Sequence, residues 1–351
     1  MKKLFIHFCL IISYFSIYPT LSFAQSEVTA SSAAEDSAVI IMYHRFGEKT
    51  FPTTNVTLDQ IDQHIAELSK DIYNIVPLRT ITEALKNEKK LPPRTIAITI
   101  DDGYLSIYQQ AWPRFKAANI PFTLFISTAS VNDQNKLSMT WDQIRELASD
   151  PLVDIGHHGH VHGHMTQMST PDALADIELA DETYRRELGY VPDIFAYPYG
   201  EYSDELAETL APKNYHAALG QYSSAASSAR DVMTLPRFAF NQNYADLDRF
   251  KLIINSRALP IKDILPRSAN LENNPPAVGF TVNEDINGLS NIGCFPSHMS
   301  EAAKVTRIGE NRIEIRFDQP FPAGRHRINC TMPGPDNRWY WFGMPFFNLG
   351  D

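Results

Sequence analysis

The stretch that decides the fold is a short acidic run at the end of an apolar one, Thr99-Ile100-Asp101-Asp102-Gly103-Tyr104. Residues 95–98 before it are Thr-Ile-Ala-Ile, so the pattern indicates a buried strand that ends in a loop. Two adjacent carboxylates beside an apolar strand repel each other, and a metal ion or a shared proton would relieve that cost. An ordinary Asp-Asp-Gly turn explains the run equally well when it is taken alone.

A second stretch, some 55 residues further on, favours the metal. Residues 154–165 read Asp-Ile-Gly-His-His-Gly-His-Val-His-Gly-His-Met, and they also follow a predicted strand. Carboxylates and imidazoles together form the donor set of a divalent metal site. The alternative is a histidine-rich surface loop that binds metal loosely.

The alternation of strands and helices predicts an α/β fold, a distorted (β/α) barrel. Apolar runs that fit buried strands alternate with segments of helical spacing from residue 38 to residue 256. Polar residues gather where the predicted strands end. In such barrels one face carries the chemistry, and we expect that face to hold His44, Asp101, Asp102, His158 and Tyr199.

The pattern changes near residue 268, where a polar, proline-containing segment is followed by short alternating runs typical of a small β-sandwich. The predicted division is a signal peptide at 1–24, a flexible leader at 25–36, a barrel at 37–267, a linker at 268–276 and a C-terminal β-sandwich domain at 277–351. The aromatic run 338–342 fits a strand that faces the core, with a glycan-binding face as the alternative.

The first residues predict export. Lys2 and Lys3 precede a mostly apolar run, and Ser22-Phe23-Ala24 fits a cleavage site, so we expect a periplasmic or secreted protein. Of the three cysteines, Cys294 and Cys330 remain after cleavage and predict one disulfide, with two buried thiols as the alternative.

The charge of the chain narrows the possible ligands. The net charge is −10, and it becomes −12 once Lys2 and Lys3 are removed with the signal peptide. Such a protein is a poor fit to nucleic acid or to an anionic membrane, and it suits a neutral or cationic ligand. No stretch after the signal peptide is long and apolar enough to predict membrane insertion.

Three motifs in this order resemble those of the polysaccharide deacetylase family, the NodB-homology group of carbohydrate esterase family 4. They are Thr99-Ile100-Asp101-Asp102-Gly103, His158-Gly159-His160-Val161-His162 and Ala196-Tyr197-Pro198-Tyr199-Gly200. The opening Met42-Tyr43-His44-Arg45 is also common among its members, and the resemblance covers roughly residues 37–265.

The resemblance implies a catalytic zinc site, or one for another divalent metal such as Co2+ or Ni2+. Its ligands would be Asp102, His158 and His162, and one helical turn would bring the two histidines to the same side. His160 and His164 have the same four-residue spacing and are an alternative pair of ligands, and His157 is a further candidate ligand. Asp101 would be the general base, and the backbone N–H of Tyr199 would stabilise the oxyanion.

Two positions depart from the family pattern. Ala196 stands where the family has an arginine that orients the base, and Leu235-Pro236-Arg237 stands where the family has Leu-x-His with an acidic histidine. Arginine does not release a proton near neutral pH, so Arg237 cannot be that acid. Our hypothesis is that Arg237 pairs with Asp101 instead. His44 is then the leading candidate for the acid, with His216 or a metal-held water as alternatives.

The function implied is zinc-dependent hydrolysis of the N-acetyl group of an N-acetylhexosamine residue in a polysaccharide. Tyr104, Trp141 and Tyr199 are candidate walls for the sugar, although core packing explains Trp141 equally well. The alternatives are an O-acetyl esterase acting on a glycan such as acetylxylan, and a glycan-binding protein without catalytic activity. We expect a polysaccharide or oligosaccharide partner and no nucleic acid.

Overall fold

A parallel sheet of apolar strands forms the first part of the computed structural model, which describes residues 34–283 and 286–350. The predicted signal peptide and most of the leader lie outside these residues. The strands in chain order are β1 (Val39–Tyr43), β2 (Arg45–Phe46), β3 (Asn55–Val56), β4 (Asn74–Ile75), β5 (Thr95–Ile100), β6 (Phe122–Ile126), β7 (Val153–His157), β8 (Ile194–Ala196), β9 (Ala217–Leu219) and β10 (Phe238–Ala239).

Eight of these strands pair in parallel, in the order β10-β1-β5-β6-β7-β8-β9 with β4 beside β5. The segment before β10 links the two edges of this sheet. Leu235 pairs with Leu219 of β9, and three residues later Phe238 pairs with Ile41 of β1. The sheet is therefore curled into a distorted barrel, as the alternating pattern predicts.

Helices cover the outer face of the curled sheet, and side chains from several of its strands pack together inside it. They are α1 (Leu58–Leu68), α2 (Leu78–Lys86), α3 (Trp112–Ala117), α4 (Thr128–Asn132), α5 (Trp141–Ala148), α6 (Thr170–Leu188), α7 (Asp204–Leu210) and α8 (Leu247–Ile254). Every residue of β1, β5 and β6 is buried, which explains why these strands are continuous apolar runs rather than alternating ones. Among the described residues no helix combines the length and the apolar character needed to cross a bilayer.

Two antiparallel sheets share a second core in the C-terminal part. Their strands are β11 (Ile261–Leu265), β12 (Val278–Val282), β13 (Gly293–Pro296), β14 (Lys304–Ile308), β15 (Arg312–Arg316), β16 (Gly324–Pro333) and β17 (Trp339–Asn348). The sheets are β11-β12-β15-β14 and β13-β16-β17, and buried side chains of both meet in one cluster. Cys294 of β13 faces Cys330 of β16, and the two form a disulfide.

The boundary of the C-terminal part differs in detail from the predicted one, and the domain division itself stays a prediction. Strand β11 pairs with β12, so this sheet begins within the range assigned to the barrel. In the segment predicted as a linker, Ala269 accepts a hydrogen bond from Phe347 of β17, and Leu271 donates one to the same residue. Sequence patterns do not reveal such pairing because it joins residues about 75 positions apart.

Strand β17 joins the C-terminal sheets to the barrel. Tyr340 and Phe342 are buried in the C-terminal core, while the ring of Trp341 meets Phe238 of the barrel edge-on, with centroids 5.2 Å apart. Gly343 lies so close to the barrel that a Cβ atom there would be 1.9 Å from the carbonyl oxygen of Ser223. Most of the aromatic run 338–342 thus serves packing, which favours the core interpretation.

Candidate active site

The predicted site residues gather at the carboxyl edge of the parallel sheet. His44 follows β1, Asp101 and Asp102 follow β5, and His158 follows β7. Because parallel strands all end on the same side, residues far apart in the chain meet at this edge. Asp102 has a positive φ of 77°, which is uncommon for a residue other than glycine and turns the chain sharply at this point.

Three potential metal ligands converge there, and they are the three that the resemblance implies. One ligand atom from each of Asp102, His158 and His162 lies within 4.8 Å of the others. The Oδ1 atom of Asp102 is 3.4 Å from Nε2 of His158 and 3.2 Å from Nε2 of His162.

The protonation of His158 fits a cation between these atoms. Its Nδ1 lies 2.6 Å from the carbonyl oxygen of Ala196, which can only accept, so Nδ1 carries the hydrogen. In the neutral ring, Nε2 then presents a lone pair toward Asp102. The Oδ1 atom of Asp102 is buried and makes no hydrogen bond within the described part of the chain. Facing lone pairs of this kind are what a divalent cation neutralises, so the three residues fit such an ion.

The loop that carries the two histidines is not the expected helical turn. Residues 158–164 contain no helix, and Gly159 and His162 adopt left-handed conformations with φ of 71° and 54°. Asp176 of α6 holds this loop, because its carboxylate accepts hydrogen bonds from the backbone N–H groups of His160 at 2.8 Å and Val161 at 2.9 Å. The helical turn expected from the four-residue spacing is therefore wrong, although the two histidines that the resemblance implies do converge with Asp102. No sequence signal pointed to Asp176.

The competing histidines have other partners. His157 is buried among core rings and lies 3.2 Å from the carboxylate of Asp181. His160 Nδ1 is 2.7 Å from the hydroxyl oxygen of Thr128. The ring of His164 stacks on Tyr199 with centroids 4.0 Å apart, as described below. The geometry therefore favours His158 and His162 over the other pairings.

The predicted pairing of Arg237 with Asp101 is present in the structure. The guanidinium donates two parallel hydrogen bonds, NH1 to Oδ1 at 2.7 Å and NH2 to Oδ2 at 2.8 Å. Both residues are buried, and further hydrogen bonds to Gly220 O and Thr99 Oγ1 fix the guanidinium. Burial would raise the pKa of Asp101, but the Arg237 charge holds it below its ordinary value. Asp101 is thus ionised and rigidly oriented beside the three ligands.

The two histidines considered for the acid lie on opposite edges of the sheet. His44 is close enough to Asp102, Asp101 and Arg237 for their charges to act on it, and burial lowers the pKa of its imidazole. His216 precedes β9 and donates its backbone N–H to Asp193 O, so it lies at the amino edge. The charged groups that act on its imidazole are Lys86, Arg79, Asp193 and Glu83, and neither Asp101 nor Asp102 is among them. The alternative that placed His216 in the site is therefore wrong.

The Pro198-Tyr199-Gly200 turn presents a free backbone donor. The N–H groups of Gly200 and Glu201 bond to the carbonyls of Tyr197 and Pro198, whereas the Tyr199 N–H has no acceptor among the described residues. Tyr199 has a φ of 57°, and its ring lies between His164 and His162, 4.5 Å from the latter. This arrangement is compatible with the predicted oxyanion donor.

A residue of the C-terminal sheets supports this turn. Arg325 of β16 donates a hydrogen bond to the carbonyl oxygen of Tyr199, and its Nε lies 3.3 Å from Glu201 Oε1. The other carboxylate oxygen of Glu201, Oε2, accepts a hydrogen bond from the Thr166 hydroxyl at 3.0 Å and lies 2.9 Å from Nδ1 of His164. Sequence reasoning missed Arg325 because it lies about 125 residues away, outside the motifs.

Two of the three predicted sugar walls, Tyr104 and Trp141, differ in position. The Tyr104 ring is half-buried beside Asp102, with the Arg45 guanidinium 3.3 Å from its centroid. Burial raises the pKa of the Tyr104 hydroxyl, and the nearby Asp102 charge raises it further. Trp141 is the first residue of α5, donates its indole N–H to Asn132, and meets Tyr184 edge-on at 6.2 Å. These contacts favour core packing for Trp141.

This part of the chain is similar to known proteins in sequence and in structure. Residues 88–218 match the sequence profile of the family described as polysaccharide deacetylase. The structure of the Streptococcus pyogenes deacetylase PplD in complex with acetate superposes with a TM-score of 0.57 at 20% identity, covering 62% of this chain and 98% of that one. These matches confirm the resemblance to that family over this part of the chain, and they confirm the barrel fold.

Two curated relatives are similar at low identity. The putative polysaccharide deacetylase YxkH of Bacillus subtilis is 24% identical over 201 residues, which cover 56% of this chain and 69% of the relative. The poly-beta-1,6-N-acetyl-D-glucosamine N-deacetylase of Escherichia coli K12 is 21% identical over 229 residues, which cover 54% of this chain. The match spans about a third of that relative's length, 34%.

Proposed function

We propose that this protein hydrolyses the N-acetyl group of N-acetylhexosamine residues in a polysaccharide and releases acetate, with a divalent metal held by Asp102, His158 and His162. The observation that carries this proposal is that two adjacent carboxylates, Asp101 and Asp102, have different partners. Asp102 has an unsatisfied oxygen that faces two imidazoles, and Asp101 is locked by a buried arginine. A metal ligand beside an oriented base is the arrangement that amide hydrolysis requires.

Each residue has a distinct part in the proposed reaction. Zinc, or another divalent ion, would supply Lewis acidity that polarises the acetyl carbonyl and acidifies the attacking water. Asp101 accepts the proton of that water, since each carboxylate oxygen retains a lone pair beyond its bond to Arg237. The free N–H of Tyr199 donates to the oxygen that becomes negative when the carbonyl is attacked.

His44 is our candidate for returning a proton to the leaving amine. Its lowered pKa keeps the imidazole neutral near pH 7, so it must receive a proton during the reaction before it gives one away. Asp101 and Asp102 lie near enough to act on its charge, and Asp101 is the group that has just taken a proton. His44 would therefore act as a relay from Asp101 to the nitrogen.

We further propose export to the periplasm or the exterior. The basic start with an apolar run, together with the cysteine pair at 294 and 330, supports this proposal. A polysaccharide too large to enter the cell would then be accessible to the site. The β-1,6-linked polymer named for the E. coli relative is one candidate substrate.

The test is acetate release from partially acetylated poly-β-1,6-N-acetylglucosamine and from chitooligosaccharides, with acetylxylan in parallel. The protein with added zinc is compared with Asp101→Asn and His158→Ala, and His160→Ala serves as the matched control on the same loop. We expect activity in the parent and in His160→Ala, and its loss in the other two and on chelation. Release from acetylxylan alone would establish the O-acetyl esterase instead, and retained zinc without any release would indicate a binding protein.

A further inference from the structure

A cleft opens where the C-terminal sheets meet the barrel, next to the proposed active site. Its volume is about 420 Å³. Tyr199 and Arg237 form its wall on the barrel side, and both also belong to the site described above. Pro345 and Phe347 of β17 close it from the other side. A polysaccharide bound at the metal ligands would therefore extend into this cleft.

The cleft is strongly cationic although the protein is acidic. Arg325 and Arg327 are two residues apart on β16, so both point to the cleft face, opposite Phe347 and Pro345. Arg249 of α8 reaches it from the barrel. No aspartate or glutamate is among the lining residues in the described part of the chain. Positive charge is thus concentrated in this cleft, although the whole chain has a net charge of −10.

Two of these arginines have no carboxylate partner. Arg325 is paired with Glu201, but neither Arg249 nor Arg327 forms an ion pair within the described residues. The Arg249 guanidinium donates to the carbonyl oxygen of Tyr244 at 2.6 Å, and no hydrogen bond from the Arg327 side chain occurs there. Their positive charges are thus available to a ligand, and arginine favours carboxylates and phosphates in particular.

An exposed aromatic ring completes the arrangement. Tyr244 lines the cleft with 58% of its surface exposed, and the Arg249 guanidinium lies 5.5 Å from its ring centroid. A flat apolar surface beside a cation suits a sugar ring that carries an anionic group.

We propose that this cleft is a subsite for an anionic sugar, so that the substrate is an acidic polysaccharide in which a carboxylate- or phosphate-bearing unit flanks the N-acetylhexosamine to be deacetylated. This inference rests on the proposed function for the placement of the acetylated unit. It replaces the expectation from net charge alone, which favoured a neutral or cationic ligand. The local field of the cleft, rather than the total charge, acts on the bound chain.

The test compares three oligosaccharides of equal length by isothermal titration calorimetry and by acetate release, with zinc present. One alternates N-acetylglucosamine with glucuronate, one joins N-acetylglucosamine units through phosphodiesters, and one is neutral poly-N-acetylglucosamine. We expect at least one anionic chain to bind about tenfold or more tightly than the neutral chain, as one to two charge-assisted contacts would give. The two anionic arms distinguish carboxylate from phosphate.

The variant that tests the subsite is Arg327→Gln, because its side chain has no partner whose loss would affect folding. It should remove most of the preference for the anionic chain and leave binding of the neutral chain unchanged. The matched control is Arg316→Gln on β15, which removes an equal charge away from the cleft. Equal affinity for charged and neutral chains, or an equal loss in both variants, would overturn the proposal.

The two proposals fail in different ways. Acetate release from the neutral chain with no preference for charge would leave the deacetylase function intact and refute the subsite. Arg327-dependent binding of an anionic chain without acetate release from any substrate would support the subsite and refute the deacetylase function.

Discussion

The buried pair of Arg237 and Asp101 allows a quantitative test of the idea that the arginine is there to neutralise and orient the carboxylate. The two side chains are 1% and 3% exposed, and two hydrogen bonds join them. In Arg237→Gln, Asp101 is left as a buried charge without its partner. Breaking a buried pair from one side costs about 3–5 kcal/mol in the free energy of unfolding.

The double variant distinguishes pairing from simple packing. Asp101→Asn alone leaves the Arg237 charge buried and is expected to cost a similar amount. When both changes are combined, neither charge is stranded, so the total loss should be smaller than the sum by about 2–3 kcal/mol. The measurement is the free energy of unfolding in urea for the four proteins.

An exposed pair supplies the control. Arg114 and Asp62 lie 2.9 Å apart at the surface, with 28% and 57% of their side chains exposed. The same cycle there should give a coupling below about 1 kcal/mol, because water screens such pairs. If the coupling of Arg237 with Asp101 were no larger than that of the surface pair, our account of Arg237 would be refuted. In activity assays, the rate of acetate release by Arg237→Lys should lie between those of the parent and of Arg237→Gln. Lysine keeps the positive charge but cannot donate the two parallel hydrogen bonds of a guanidinium.

Three further outcomes can be checked separately. Burial lowers the pKa of His64 to about 4, below its ordinary 6.5, so the unfolded chain binds a proton at this residue first, and the free energy of unfolding falls by up to about 3 kcal/mol as the pH drops from about 6.5 to 4. His64→Gln should flatten this pH dependence in urea unfolding curves recorded at several pH values. An unchanged slope in that variant would contradict the prediction. Asp102→Asn should lower zinc affinity about 100-fold or more, measured by competition with a chelating dye, while His160→Ala should not. Arg325→Met should lower kcat on neutral oligosaccharide about tenfold with little change in KM, because it releases the Tyr199 carbonyl; a change confined to KM would show that it only binds substrate.

The sequence predicted those parts of the site that depend on local pattern. A buried apolar strand followed by acidic residues requires that the acids lie at the strand end, and parallel strands place their ends together. The local pattern predicts a cluster of carboxylates and histidines at this edge, and the resemblance to the family selects Asp102, His158 and His162 within it. One ligand atom from each of the three lies within 4.8 Å of the others. The pairing of Arg237 with Asp101 was a hypothesis from a missing arginine, and the structure contains that pair.

Parts that depend on distant contacts could not be predicted. A spacing of four residues between His158 and His162 does not show whether the segment between them is a helix or a loop. The observed loop is held by hydrogen bonds to the Asp176 carboxylate, which comes from α6. A histidine on a predicted strand, His216, was a reasonable candidate until the direction of the sheet placed it at the opposite edge. Local pattern determines which elements form, but not which loop conformation the neighbouring elements stabilise.

The departures from the family pattern form one coherent change rather than two separate losses. At position 196 a side-chain guanidinium is absent, but the backbone carbonyl still orients His158. At position 237 a guanidinium is present, and it pairs with Asp101 from the segment just before β10. The arginine has thus moved to the position where the family has its acidic histidine. In the proposed mechanism the base Asp101 therefore has an arginine partner. His44, whose imidazole lies near both carboxylates, is our candidate for the group that protonates the leaving amine.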